Sequence, residues 1–538
     1  MAAALAAHEL GLDTLIIEKT DYVGGSTARS GGAFWIPASS LLIEEGAVDT
    51  AERAREYLRA VVGGSAPDER WESFQQHGDE TVRMLKRTTP MRFMWSEGYS
   101  DYHPELPGGA ASGRTCECRP FDVSILGSER ARLRPPVLES PVPMPITGAD
   151  YKWMNLMARV PRRGIPLIAR RAAKGIGGKL IGREYVAGGQ ALAAGMYAGV
   201  LAAGIPVWTR TTLQQLVTED DRVVGVVVEQ DGREVTARAR RGVVLAAGGF
   251  DHDIAMRHKF QSEALEAGWS LGSDGNTGDA IRIGQDVGAD IDLMDQAWWF
   301  PAVAPLPGGA PMVLLAERSL PGSFVVDQNG RRFVNESTDY MSFGQRILER
   351  ERTGDAIESM WLVFDQEYRN SYVFAGGLFP RMRIPQSWYD AGIAVKADSA
   401  GDLAQGIGLP AEEFTASLHR FNELAVAGND DDFGRGGTAY DRYYGDPTVT
   451  PNPNLRPLRG WLYAVRMVLS DLGTCGGLRA DGNGRALRRD GAPIDGLYAI
   501  GNNAANAFGA TYPGAGATIG QGLVYGTIVA HHAAGLKS

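Results

Sequence analysis

Met1–Lys19, MAAALAAHELGLDTLIIEK, constrains the fold more than any other segment of the chain. Residues 1–10 are rich in Ala and Leu, strong helix formers, and Gly11 stands where such a helix stops. Asp13–Glu18 (DTLIIE) then reads as a short buried parallel strand that ends in an acid. Helix, Gly, apolar strand, acid is the second half of a dinucleotide-binding βαβ unit, in which the acid accepts hydrogen bonds from a ribose hydroxyl. The first strand and Gly-rich phosphate loop of that unit belong immediately before Met1 and are not in the sequence. A few tens of residues are therefore expected to precede it, with the unit length of about 30 as the guide. Either the start is misassigned or the chain is truncated.

Glycine carries a related message along the whole chain. It supplies 69 of 538 residues, well above the ordinary share of about 7%, with no Gly-X-Y period. The excess implies many places where backbone turns sharply or lies close against a ligand. The length is several times a domain of about 150 residues, so two or more substructures are expected. The net charge of −10 disfavours nucleic acid as a main partner, because phosphate binding needs surplus Lys and Arg. Three cysteines, Cys116, Cys118 and Cys475, exclude a disulfide scaffold and fit a reducing cytoplasm. The C-x-C pair is too small for a zinc site, and no metal is expected. No apolar run reaches the roughly 18 residues that span a bilayer, and no basic n-region marks a secretory signal.

Gly24–Trp35 (GGSTARSGGAFW) is dense in Gly and Ser but ends in the apolar Phe34-Trp35-Ile36-Pro37. A loop pinned by buried segments suits contact with a phosphate or a ring. Residues 48–90 follow helical patterns, and 91–150 are loop-rich. Residues 206–250 return to strands, with a hairpin signal at Asp231-Gly232 and an apolar strand, Gly242–Leu245, that runs into Ala246-Ala247-Gly248-Gly249. Residues 300–470 read as an inserted mixed unit, with strand–turn–strand at Phe324–Phe333 and helices near 341–352, 386–391 and 410–427. The tail 495–526 resumes the Gly-rich strand-to-helix pattern. Between Arg159 and Arg183 stand eight basic residues and no acid. That stretch is either a solvated helical face or an amphipathic patch for an anionic membrane surface.

The strings IIEKTDYVGGSTARSGG, VVLAAGGF, RRFVNES, LYAIGN and TYPGAGATIG, in this order, resemble the flavoprotein family of fumarate reductases and 3-ketosteroid dehydrogenases. The similarity spans essentially the whole chain. Tyr-Pro-Gly-Ala-Gly at 512–516 and the Tyr after RRFVNES resemble the 3-ketosteroid Δ1-dehydrogenase branch. The resemblance implies an α/β fold, a Rossmann-like FAD-binding domain lacking its first strand and Gly-rich loop, with an inserted α+β catalytic domain. The expected division is 1–298 and 473–538 for the FAD-binding domain and 299–472 for the insert. The implied cofactor is FAD, with Glu18 on the adenosine ribose and Gly24, Gly25, Ser26, Ser30, Gly31 and Gly32 along the pyrophosphate and flavin. Ala247 and Gly248 would pass the adenosine side, and Gly501 and Asn502 would approach the pyrophosphate. The helix after Gly516, with Thr518 and Ile519, would aim its N-terminal dipole at the flavin pyrimidine ring, where reduced flavin carries negative charge.

The same resemblance implies 1,2-desaturation of a 3-ketosteroid A-ring: a proton leaves the carbon beside the ketone and a hydride passes to flavin N5. Such a proton has a pKa of ~19 against ~10 for Tyr, a gap of about 12 kcal/mol. Donors aimed at the ketone must therefore stabilise the enolate as it forms. The family pattern places those donors at the Tyr512 hydroxyl and the Gly516 N–H, the base at Tyr340 and its helper at Tyr102, with Tyr99 open for the helper role. A dicarboxylate reductase of the same fold would need Arg and His clamps. None of the eight His lies in 335–340 or 501–526, and Trp298, Trp299, Phe300 and Phe324 suit an apolar ligand instead. Burying ~350 Å² of steroid yields on the order of 9 kcal/mol before association costs. A 4,5-desaturating 3-oxo-5α-steroid dehydrogenase is the nearer alternative. A truncated chain unable to bind FAD is the non-catalytic one. The electron acceptor is unassigned, and the expected location is cytoplasmic, with peripheral membrane contact through 159–183 as an open alternative.

Overall fold

A computed structural model describes residues 1–137 and 143–536; part of the loop-rich stretch 91–150 thus lies outside the described residues. The chain opens with the helix Ala2–Glu9, and Gly11 takes the left-handed conformation (φ 74°) that ends it. The helix packs on the C-terminal helix Ala517–Ala533, where a side chain at Gly526 would meet Ala3 N at 2.8 Å. The strand foreseen over 13–18 contracts to Ile16–Ile17, paired in parallel with Val207–Trp208. Beyond it the chain folds back on Glu18, whose carboxylate accepts the Thr20 N–H and hydroxyl, both at 2.8 Å.

The Gly/Ser segment is less irregular than its composition suggests. It holds a short helix, Gly25–Arg29, and a strand, Phe34–Trp35. Its backbone runs so close to the helix Gly188–Ala202 that a Cβ on Gly32 would sit 2.1 Å from the Gly188 carbonyl carbon. Only glycine allows that approach. The hairpin at Asp231-Gly232 forms as expected between Arg222–Gln230 and Arg233–Arg238, with both turn residues at positive φ (49° and 74°) as a two-residue I′ connection demands. Val243–Leu245 pairs in parallel with Pro493–Ala499.

The largest sheet has six strands, all antiparallel. Its order is Met312–Val313, Ala297–Val303, Leu462–Thr474, Met360–Asp365 and Ser323–Asp327, with Ala394–Ala397 also on Leu462–Thr474. The helices Tyr340–Arg352, Gln386–Asp390 and Ala411–Ala427 lie within a residue or two of their expected bounds. The strand–turn–strand over 324–333 does not form. Asp327 Oδ1 accepts the N–H groups of Asn329 and Arg331 (2.9 and 3.1 Å), which closes the turn on a side chain. Arg332 then swings to Glu336 and Asp430 (2.8 Å each), so Ser323–Asp327 pairs with Met360–Asp365 instead. The basic stretch 159–183 is helical over Pro161–Leu180. All three cysteines are buried and free, and no described helix is long and apolar enough to cross a membrane.

Candidate active site

Three tyrosines from distant parts of the chain meet at one end of a large cavity. Tyr340 is the first residue of the helix Tyr340–Arg352, held by its N-cap Asp339, which accepts the Ser342 N–H at 3.0 Å. Tyr512 lies on the Gly-rich segment before the C-terminal helix. Asn506 donates to the carbonyls of Gly509 and Thr511 (2.7 and 3.2 Å), and Gln345, one turn along the Tyr340 helix, donates to that of Ala510 (2.8 Å). Tyr102 comes from a loop whose backbone is tied to the same segment, its N–H donating to the Pro513 carbonyl at 3.1 Å. The Tyr57 hydroxyl donates to that carbonyl too, at 2.6 Å. Ring centroids stand 5.4 Å (Tyr102–Tyr340), 5.2 Å (Tyr102–Tyr512) and 5.5 Å (Tyr340–Tyr512) apart, all edge-on.

Beneath Tyr102 lies a buried ionic cluster. Asp101 accepts the Trp35 indole N–H at 2.9 Å, the Ala110 N–H at 3.1 Å and the Arg114 guanidinium. Arg114 also grips Asp49 with two bonds of 2.9 Å. Burial raises the Asp101 carboxyl above its usual range, and Arg114 opposes that rise. The fully satisfied geometry fixes the loop.

Trp298 packs on Tyr512 (4.6 Å) and Phe300 on Tyr340 (4.8 Å). Of the four aromatics read as a ligand slot, Phe300 alone lines the cavity. Trp298 stands behind Tyr512, Trp299 backs against Gly344, and Phe324 belongs to a separate core with Phe414 and Phe421. Tyr99 lines the same cavity, although its ring is not one of the three that meet edge-on. It stacks on Tyr443 at 4.6 Å. Tyr440, which sequence reasoning missed, sits 4.7 Å from Tyr102; its aromatic surroundings, YDRYY, were the one available signal.

The hydroxyls are poised in different ways. Gly516 N–H donates to the Tyr512 oxygen at 3.3 Å, so the two groups lie side by side, and a ligand oxygen that met both would take the N–H from the hydroxyl. The Tyr102 hydroxyl is buried without a hydrogen-bond partner. Burial lifts Tyr340 and Tyr102 well above the usual phenol range; Tyr512 and Tyr99 add to the rise at both, while the Tyr102 hydroxyl offsets part of it at Tyr340. Tyr512 is pushed up to about 12, by burial first.

The cavity measures about 2400 Å³ and extends from the triangle past every residue expected at a cofactor: Glu18, Gly24, Gly25, Ser26, Ser30, Gly31, Gly32, Ala247, Gly248, Gly501, Asn502, Gly516, Thr518 and Ile519. Ordinary ligand pockets hold about 300–1,000 Å³, so a dinucleotide and a second ligand have room together. Its donor set suits FAD. An acid ends the strand, backbone without side chains lines the middle, and the helix Ala517–Ala533 begins with no side-chain cap, leaving first-turn N–H groups for a ligand. Asn502 Oδ1 accepts the Thr518 hydroxyl and the Trp298 indole N–H, both at 3.1 Å, linking the expected flavin end to the tyrosines. Gly516 itself is at φ 92°, and a Cβ there would stand 2.3 Å from the Ala33 oxygen.

The family model described as "FAD binding domain" matches residues 1–519. The 3-oxosteroid 1-dehydrogenase of Mycolicibacterium smegmatis is 43% identical over 98% of this chain and 94% of its own length. That of Mycobacterium tuberculosis is 44% identical over 99% and 96%. Among solved structures, 3-ketosteroid Δ1-dehydrogenase from Sterolibacterium denitrificans in complex with 1,4-androstadiene-3,17-dione superposes with a TM-score of 0.93 at 35% identity, covering 99% of this chain and 97% of that one.

Proposed function

The chain belongs to the FAD binding domain family, among the 3-oxosteroid 1-dehydrogenases, and on that premise we propose that it introduces the 1,2 double bond into the A-ring of 3-ketosteroids. The observation that carries this reading is the tyrosine triangle beside the Tyr512–Gly516 donor pair at one end of the cavity. FAD, when bound, supplies the acceptor for the hydride from C1. The residues that would hold it are Glu18, the glycines and serines of 24–32, Ala247, Gly248, Gly501, Asn502, Thr518 and Ile519.

The protein's own work is on the proton. With the ketone oxygen taking the Gly516 N–H in place of the Tyr512 oxygen, that N–H and the Tyr512 hydroxyl both donate to it, and the charge that develops there is met by fixed dipoles. Two such bonds can supply several kcal/mol of the roughly 12 kcal/mol gap between the α-proton and a phenol. Tyr340 takes the proton from C2. Its own ionisation is opposed by burial, so its proton must be drawn toward a neighbour. Tyr102, edge-on to it and with an unpartnered hydroxyl, is the group placed to do so. Phe300 and the apolar wall keep water from the enolate.

The test is product formation. FAD-loaded protein given 4-androstene-3,17-dione and an artificial electron acceptor yields the 1,4-dien-3-one. Unchanged steroid overturns the reading, and a product altered elsewhere in the ring system redirects it. The basic stretch Arg159–Arg183 is read, as part of the same proposal, as a peripheral contact with a membrane.

A further inference from the structure

The helix Gly148–Asn155 turns one face to the cavity. Its N-cap Thr147, then Tyr151 and Met154, follow at four and three residues, and all three line it. The helix is firmly held. Glu117 accepts the N–H groups of Gly148 and Ala149 (2.6 and 2.9 Å), and Asp150 takes two bonds from Arg171 (2.7 and 3.1 Å). The polar groups behind that face are not all satisfied. The Tyr151 hydroxyl donates to Glu317 Oε1 at 3.2 Å, while Glu317, wholly buried, leaves Oε2 with no partner among the described residues. Asn155, whose amide lies beside the Tyr151 hydroxyl, is 1% exposed and has neither amide atom partnered. Buried polar atoms are paired about nine times in ten or more, so three orphans around one phenol need a cause.

Glu317 opens the short turn Glu317–Ser319, and the Tyr368 hydroxyl fixes it by donating to its carbonyl at 2.7 Å. The Glu317 carboxyl lies against the backbone of Leu315 and Gly376, and both of these residues line the cavity. The same wall begins at the tyrosine triangle. Phe300, packed on Tyr340, belongs to the strand Ala297–Val303. Three residues on, about 10 Å along that strand, Val303 pairs with Met312. Met312, Val313 and Leu315 carry the lining from there toward Glu317.

We propose that Tyr151, backed by Glu317, is a subsite for a hydroxyl at C17 of the steroid. The proposal rests on the desaturase reading for the ligand's orientation: with the ketone at Tyr512 and Gly516 and the rings along Phe300, the D-ring comes to this wall. Tyr151 gives its proton to the Glu317 carboxylate, which leaves the phenol oxygen as an acceptor. A 17-hydroxyl donates to that oxygen, and the chain of hydroxyl, phenol and carboxylate strengthens each link. A 17-ketone has no proton to give and would have to draw the Tyr151 proton away from Glu317. Burial pushes the Glu317 carboxyl up to about 7, so above that pH it is an ionised acceptor. The pair selects and positions the steroid, and the proton and hydride steps take place at the other end of the rings.

The experiment measures binding of three desaturated products, which the FAD-loaded protein does not turn over, from the shift of the flavin band at about pH 8. They are 17β-hydroxy-1,4-androstadien-3-one, 1,4-androstadiene-3,17-dione and, as a control without oxygen at C17, 1,4-androstadien-3-one. Wild type binds the hydroxysteroid about tenfold more tightly than the diketone. Tyr151→Phe removes that preference. Glu317→Gln lowers it several-fold, because the amide can offer the phenol an N–H rather than take its proton. Both variants keep the wild-type Kd for the control, which a merely structural loss would not allow. Equal Kd values for the hydroxysteroid and the diketone in wild type, tighter binding of the diketone, or a preference that survives Tyr151→Phe overturns the proposal. Binding is read without turnover. A protein that shows the preference but leaves 4-androstene-3,17-dione unchanged sinks the desaturase reading alone, one that desaturates without the preference sinks this proposal alone, and binding of none of the three steroids overturns both.

Discussion

Tyr340 must give up its proton in a place built to keep it. Burial holds its pKa well above the usual ~10, so the phenolate is scarce at neutral pH and its share grows as pH rises. The kcat of the FAD-loaded enzyme is therefore expected to climb from neutral pH to about pH 10 without levelling; a plateau near pH 7 would assign the base elsewhere. Tyr340→Phe and Tyr512→Phe should each lower kcat by roughly a hundredfold or more while the flavin stays bound, one by removing the proton acceptor and the other a donor to the ketone. Glu317 makes a separate test of burial. Its carboxyl is pushed up to about 7 from 4.5, by desolvation, with one oxygen lacking any partner. The folded state thus holds its proton to higher pH than the unfolded chain, and the stability this confers is full below about pH 4.5 and lost as pH rises through 7. Glu317→Gln should gain stability relative to wild type, on the order of 2–3 kcal/mol, between about pH 5 and pH 8 in denaturant titrations.

At the scale of elements, the site depends on segments fixed by backbone contact. Gly516 opens the C-terminal helix in a left-handed conformation with the Ala33 oxygen where its Cβ would go. Gly516→Ala should lower both flavin content and thermal stability, which absorbance and melting curves read together. The Asp101–Arg114–Asp49 cluster fixes the Tyr102 loop, and Asp101→Ala, which leaves a buried guanidinium short of a partner, should cost about 3–5 kcal/mol. The first helix was legible because Gly11 stops it; Asp339 before Tyr340 and Gly428 after Ala427 cap two others in the structure. The hairpin at 231–232 was legible because Asp-Gly dictates one turn. Phe324–Phe333 misled because the Asp327 side chain, not a strand partner, takes the backbone donors. Tyr440 and the Asp49–Arg114 pair, 65 residues apart, were invisible because nothing local in a sequence encodes a side-chain meeting at that separation.

For the whole molecule, one cavity joins the pieces: an acid-ended strand near the N-terminus, Gly-rich turns, and the six-stranded sheet with its tyrosine-bearing helix. The motifs were readable as short strings, and their convergence belongs to the fold alone. The central claim is that this cavity oxidises a ketosteroid and that Tyr340 takes the proton. It is tested most directly by mixing FAD-loaded protein with 4-androstene-3,17-dione in the absence of oxygen while following the visible flavin band. Wild type should bleach as the dienone forms, and Tyr340→Phe should bind the steroid equally but bleach roughly a hundredfold more slowly or worse. A wild-type flavin that stays oxidised, or equal bleaching rates in the two proteins, would contradict the account.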